Sequence, residues 1–302
     1  MGKLVGMVAL CCVGVLVAVA VLVTAVVGGA TSQSDSAAPQ SPPAGDAGPS
    51  LPPGWAAMEQ AAAATCPGLS WSVIAAIGTV ESDNGRSTAP GVATGANSAG
   101  AEGPFQFEPA TFATYGTIGP GGMRPPSPYD PVDAAYSAAA MLCADGGGTE
   151  AGLRDAVFAY NHDSTYVDTV LVLSLAFADE ADVDTTVVAA IGYAAGRLGI
   201  PYLWGGTGVG GFDCSGLSQA AYSAAGIHLP RVAQDQFAIG PPVDGGTVRP
   251  GDLVFFGNGP SGVDHVGIYV GDGLMVDAPH TGADVRIEPA DWTGLVGATR
   301  PR

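Results

Sequence analysis

Lysine is almost missing from this chain. Lys3 is the only one, and nine arginines complete ten basic side chains against 28 acidic ones. A formal net charge of −18 leaves no clustered cations for phosphate contacts, which excludes a general nucleic-acid or polyanion binder. The same scarcity excludes a polybasic patch for an anionic membrane surface. Charge of either sign is sparse, at 13% of residues against 47% apolar, so global disorder is excluded as well. There are four histidines and five cysteines. No zinc or calcium spacing occurs among the possible ligands, so neither a metal nor another cofactor is expected. A length of 302 residues leaves room for two ordinary domains.

What is present begins with a long apolar run. Leu4 to Val27 is 24 residues without a charge. As a helix it would be about 36 Å long, against about 30 Å for a hydrocarbon core. Lys3 lies before it, and the next basic residue is Arg86. The positive-inside rule then places residues 1–3 in the cytoplasm and the remainder outside. A single-pass anchor within residues 1–30, held in the cytoplasmic membrane through residues 4–27, is expected. A cleaved signal ending near Val27-Gly28-Gly29-Ala30, giving a secreted protein, is the alternative. Cys11 and Cys12 read as apolar membrane residues. Residues 31–54 hold six prolines among Ser, Ala, Gly and Gln, which is a semi-extended linker.

Three cysteines follow the apolar run: Cys66, Cys143 and Cys214. An odd count in an oxidising space leaves one thiol over. Cys66 and Cys143 fall in one predicted helical domain and are expected to pair, which leaves Cys214 reduced.

Residues 55–178 read as mostly helical. Leu69 to Ser82 carries Trp71, Ile74, Ile77 and Val80 at three-residue spacing and stops at Asn84-Gly85. Pro131 to Ala144, Leu153 to Tyr160 and Val167 to Ala178 are further predicted helices. Glu81 sits at the C-terminal end of the first of these. The negative end of the helix dipole disfavours its ionisation, and burial would do so further. A carboxylic acid kept protonated near neutral pH is the group that protonates a glycosidic oxygen.

Three blocks follow in order: Glu81-Ser82, then Ser98-Ala99-Gly100-Ala101-Glu102-Gly103-Pro104-Phe105-Gln106-Phe107, then Ala159-Tyr160-Asn161. Together they resemble the lytic transglycosylases, whose fold is lysozyme-like. The resemblance implies Glu81 as the single catalytic acid and base. It also implies Gln106 lining a sugar cleft, Tyr160 and Asn161 bordering Glu81, and Ser98 contacting substrate. The chain departs from the family pattern in two places. Glu81 and Ser98 lie several residues further apart than usual, and Pro104-Phe105 stands where Leu-Met is more common. The family's reaction closes the muramic acid 6-hydroxyl onto its own ring, giving a 1,6-anhydro end without water. A hydrolase normally has a second carboxylate about 5 Å or about 6.5–9.5 Å away. Asp83, Glu102 and Glu108 are near in sequence, but no motif places them, and muramidase hydrolysis stays open as the alternative outcome.

A short acidic linker, 179–186, leads into residues 187–302. Val187 to Leu198 reads as a helix, and Cys214 opens the next, which stops at Gly226. The positive end of a helix dipole and its free N–H groups stabilise a thiolate, and the same amides can hold an oxyanion. Leu253 to Phe256 reads as a strand. His265 to Val270 and Leu274 to Ala278 read as a hairpin around Gly271-Asp272-Gly273. A turn centred at Gly271 sets His265 directly opposite Asp277 if no bulge intervenes, with Cβ atoms roughly 5 Å apart. Asp277 could then orient the imidazole that faces the thiol, as in a nucleophile, base and orienter triad. His280 is the alternative orienter.

Five ordered blocks lie in this half. They are Pro201-Tyr202-Leu203-Trp204-Gly205-Gly206, Phe212-Asp213-Cys214-Ser215-Gly216-Leu217, Leu229-Pro230-Arg231 with Gln236, Arg249-Pro250-Gly251-Asp252-Leu253-Val254-Phe255-Phe256, and His265-Val266-Gly267-Ile268-Tyr269. They resemble the NlpC/P60 cysteine peptidases. The resemblance implies a papain-like α+β fold and cleavage of peptidoglycan stem peptides, commonly between D-glutamate and the diamino acid. Cys214 would be the nucleophile, His265 the base, and Tyr202 a neighbour of the thiol that helps hold the substrate carbonyl. Asp277 stands where the family most often has His. The combined expectation is an anchored, extracytoplasmic peptidoglycan lytic enzyme with two sites. A wall-binding component of a secretion or conjugation apparatus, with one or both sites inactive, is the alternative.

Overall fold

The structure is a computed structural model that describes residues 50–302 except 180–182, 245–246 and 292. The expected anchor at 4–27 and nearly all of the Pro-rich linker lie outside the described residues. No helix among those described is long and apolar enough to cross a membrane.

The first half is helical, with α1 at Trp55–Ala63, α2 at Trp71–Ser82, α3 at Pro109–Tyr115, α4 at Pro131–Ala144, α5 at Glu150–Tyr160 and α6 at Ser164–Asp179. Local capping chemistry sets most of the starts. Ser70 caps α2, accepting from the Ser72 amide, and α2 ends where Asp83 turns into the left-handed region at φ 53°. Asp130 accepts from the amides of Val132 and Asp133, and Pro131 occupies the first position of α4. Two helices begin about a turn earlier than the apolar spacing suggests. Thr149 caps α5 ahead of Leu153, and Asp163 accepts from the amides of Thr165 and Tyr166 ahead of Val167. The second shift brings Tyr166 into α6. Cys66, just beyond α1, is joined to Cys143 in the last turn of α4, with Cα atoms 5.6 Å apart, and Cys214 is free.

The second half opens with α7 at Thr185–Ala195, capped by Asp184. A two-stranded ribbon, β1 at Thr207–Gly208 and β2 at Gly211–Phe212, leads into α8 at Cys214–Ala224, and α9 spans Ala233–Ile239. The remaining strands are β3 at Pro242–Val243, β4 at Leu253–Gly257, β5 at Val263–Gly271, β6 at Leu274–Asp277, β7 at Arg286–Pro289 and β8 at Leu295–Thr299. They form a six-stranded antiparallel sheet in the order β3-β8-β4-β5-β6-β7. Alternation assigns its two faces. Leu253, Phe255, Val266, Ile268, Val270 and Val276 join the main core, and Val254, Tyr269, Met275 and Ala298 form a smaller cluster. The helices α6, α8 and α9 pack against β5. This is the α+β architecture expected of the second half, preceded by a helical first half.

The described residues form one compact unit. A single apolar cluster runs from Leu51 in the first half to Val285 in the second. The buried Asp252 of the Arg-Pro-Gly-Asp segment binds Arg300 at 2.7 and 2.8 Å and accepts from the Arg249 amide, which ties the chain after β8 to the start of β4.

Candidate active site

Cys214 is the first residue of α8, and its placement follows from the residue before it. The Asp213 side chain caps the helix, accepting from the Gly216 amide at 2.7 Å. Its other oxygen accepts from the Gly205 amide at 2.9 Å, tying the Tyr202–Gly206 loop to the helix start. Gly216 is needed because a Cβ there would collide with the Gly206 carbonyl oxygen. The thiol is half-buried at the end where the first-turn amides have no helical acceptor, so an oxyanion can be held beside it.

His265 lies on β5 and Asp277 ends β6. The imidazole Nε2 and the Asp277 Oδ2 are 2.8 Å apart, and Asp277 is fully buried. The path to this contact differs from the one expected. Ile268 pairs with Val276 and Tyr269 with Met275, and the register shifts between Tyr269 and Gly271. Continued along the strands, that register sets Asp277 across from Gly267 rather than His265. The two side chains meet diagonally, two residues out of direct opposition. A slip of two keeps both on one face of the sheet, whereas a slip of one would have parted them. His280 is exposed, with its Nδ1 on the Thr281 carbonyl, and does not touch the imidazole.

The electrostatics follow from these contacts. Burial alone would lower the His265 pKa. The hydrogen bonds to Asp277 and Cys214, with the charges of both, overcome that and push it up to about 10. Asp277 thus holds the imidazole by a hydrogen bond, and an imidazolium is favoured beside the Cys214 sulfur. Tyr202 is half-buried, and its phenol is raised by burial and then by the nearby Cys214 and Asp213. Arg231 forks onto Asp213, with Nη1 to Oδ1 at 2.9 Å and Nη2 to Oδ2 at 2.7 Å.

The second cluster surrounds Glu81 in the last turn of α2. Burial raises its carboxyl to about 7, against the lowering effect of a hydrogen bond that Tyr166 donates to Oε1 at 2.7 Å. The phenols of half-buried Tyr160 and buried Tyr166 are both raised well above their ordinary value, first by desolvation and then by the Glu81 charge, so both lie within its field. Tyr160 donates to the Phe105 carbonyl at 2.8 Å. Ser82 donates to the Pro104 carbonyl at 2.6 Å, so the Glu-Ser pair and the Gly103–Phe107 block are bolted together. Gly103 is required where it stands, since a Cβ would strike the Pro128 carbonyl.

The other residues singled out in the sequence are placed differently. Gln106 uses its amide within its own loop, donating to the Gly103 carbonyl at 2.6 Å and accepting from Asn97 at 3.0 Å. Ser98 and Asn161 are exposed, and among the described residues neither side chain is hydrogen-bonded. Tyr166 is the residue that sequence reasoning missed. Its partner is 85 positions away, and the available signal was local: Asp163 as a cap would have started α6 early enough to include it. Among the described residues no group of three or more His, Cys, Asp or Glu is arranged to hold a metal.

Residues 199–295 match the family model described as the NlpC/P60 family. Over 118 residues the chain is 44% identical to a Mycobacterium tuberculosis protein named "Probable endopeptidase", covering 39% of this chain and 29% of that one. Over 92 residues it is 45% identical to the gamma-D-glutamyl-L-lysine dipeptidyl-peptidase of Bacillus subtilis, covering 30% and 31%. A solved structure of an NlpC/P60 family protein from Bacillus cereus is 37% identical, with a TM-score of 0.37, covering 38% of this chain and 39% of that one. The chain spans less than a third of the length of these curated relatives. The residues matched by the family model include Cys214, His265 and Asp277.

Proposed function

We propose that this chain, which carries an NlpC/P60 peptidase domain across residues 199–295, is a peptidoglycan lytic enzyme with two chemistries. The observation that carries the peptidase reading is His265 held 2.8 Å from a fully buried Asp277, within the electrostatic reach of the free Cys214 at the head of α8. In the reaction, the Cys214 sulfur attacks the scissile carbonyl. The first-turn amides of α8 and Tyr202 receive the developing oxyanion. His265 then gives its proton to the leaving amine, and Asp277 holds the ring and its charge throughout. Water, deprotonated by His265, releases the acyl group. The bond between D-glutamate and the diamino acid of the stem peptide is the proposed target, in keeping with the name of the Bacillus subtilis relative.

Glu81 supports the second chemistry, cleavage of the glycan strand. Its carboxyl, raised to about 7 by burial, is protonated often enough near neutral pH to act as a general acid. The groups that move it are burial and Tyr166; no second carboxylate among the described residues contributes. One carboxylate suits the intramolecular route to a 1,6-anhydro end better than hydrolysis. Residues 4–27 would hold both sites outside the cytoplasmic membrane, next to the wall.

Digestion of purified sacculi followed by mass spectrometry tests both halves. Expected products are anhydro-muramic ends, lost with Glu81→Gln, and new amino-terminal diamino acids, lost with Cys214→Ala. Stem peptides cut at the wild-type rate by Cys214→Ala would refute the triad. Reducing muramic ends would make the first half a hydrolase. Intact sacculi under reducing and oxidising conditions would favour a wall-binding role.

A further inference from the structure

We infer that Arg231 is a positioning residue for the nucleophile: it locks Asp213 in its capping geometry and cancels the negative charge that Asp213 places beside Cys214. The inference rests on the reading of Cys214 as the reactive thiol.

Asp213 has two duties that conflict. As the cap of α8 it must present an ionised oxygen to the Gly216 amide, and its second oxygen must hold the Gly205 amide. Yet it is the residue next to the thiol, it is 8% exposed, and its charge opposes a thiolate. Arg231 resolves the conflict. It reaches Asp213 from the segment between α8 and α9 through both nitrogens, and Nη1 also lies 3.1 Å from the Ser215 hydroxyl. A forked pair of this kind fixes both position and orientation, which a lysine cannot do.

The charges around the sulfur balance in pairs. The groups facing it are His265 from β5, backed by Asp277 of β6, Asp213 from its own cap, Tyr202 from the loop before β1, and Arg231. Asp277 is offset by the His265 imidazolium and Asp213 by Arg231. Removing Arg231 leaves one carboxylate unopposed next to the thiolate, while the catalytic triad itself is untouched.

The test is the rate at which iodoacetamide alkylates Cys214 in the full chain, read at that cysteine by peptide mass spectrometry from pH 5 to 9. In Arg231→Met the rate at pH 6 should fall roughly tenfold, with the profile displaced to higher pH. Arg231→Lys should keep most of the wild-type profile, because the charge remains, yet lose kcat on the stem peptide more than KM, because the fork is gone. Asp213→Asn, which keeps Arg231, should displace the profile to lower pH. This variant serves even if Arg231→Met does not fold. An unchanged alkylation profile in folded Arg231→Met, or a profile unchanged or raised in Asp213→Asn, overturns the inference. Alkylation that follows these shifts in a chain that cleaves no stem peptide would leave the inference standing and refute the peptidase reading.

Discussion

Replacing Glu59 with methionine should stabilise the protein, and by an amount that depends on pH. Glu59 lies on α1 with 0% exposure, and neither carboxylate oxygen has a hydrogen-bond partner among the described residues. Burial pushes its carboxyl to about 8 from 4.5. A carboxyl whose folded value is raised contributes stability that is fully present below its unfolded value and lost as pH rises through the folded value. From these two values, the folded state is penalised by about 1 kcal/mol at pH 5, about 3 kcal/mol at pH 7 and about 4 kcal/mol at pH 8. Methionine has similar length, fits an apolar site and carries no charge, so the penalty disappears. Any packing difference adds a constant that does not vary with pH. The assay is urea unfolding of the full chain, for wild type and Glu59→Met across pH 5–8. The stability difference should grow by about 3 kcal/mol over that range. A difference flat to within about 0.5 kcal/mol would mean that Glu59 is solvated or paired, and would refute the reasoning.

Other outcomes follow from the two sites. Asp277→Asn should lower stem-peptide cleavage by about 10²-fold or more, because an amide cannot hold the imidazolium; a loss under about threefold would remove Asp277 from the triad. Since His265 is held at about 10 by Asp277 and Cys214, the imidazolium is lost only as pH rises through that value. The alkaline limb of kcat/KM should therefore lie near pH 10 in wild type and move to lower pH in Asp277→Asn; an unmoved limb would contradict the assignment. Tyr166→Phe removes the one hydrogen bond that lowers Glu81, so the limb where glycan cleavage falls, near pH 7 in wild type, should move upward. An unmoved limb in a chain that still releases anhydro ends would sever Tyr166 from the acid. Cys143→Ser opens the disulfide spanning 77 positions, at a cost of up to about 4.5 kcal/mol in the chain-entropy model; urea unfolding under non-reducing conditions measures it.

Short-range chemistry made much of this molecule readable from the residues alone. The start of α4 at Asp130-Pro131 and of α8 at Asp213-Cys214 was legible because a cap and its amides lie within three positions of each other. So was the hairpin around Gly271-Asp272-Gly273, and the Cys66–Cys143 pairing followed from both cysteines falling in one predicted helical domain. The approach of His265 to Asp277 was legible as well, because the hairpin places both on neighbouring strands of one sheet.

Long-range packing decided the rest. Direct opposition of His265 and Asp277 assumed a regular ladder, and a shift between Tyr269 and Gly271 turned it into a diagonal contact. Glu81 was singled out from its helix end together with the ordered blocks around it, but the Tyr166 phenol that bonds it lies 85 positions on. Nothing local distinguishes buried Glu59, on an amphipathic-looking α1, from a solvated helical glutamate. Its carboxyl became a buried, unpaired group only when α2 and α4 closed over α1. Local propensity acts over one or two helical turns, whereas burial and charge pairing depend on which distant surfaces meet. The elements and the candidate groups therefore belong to the sequence, and their protonation and mutual orientation to the tertiary fold.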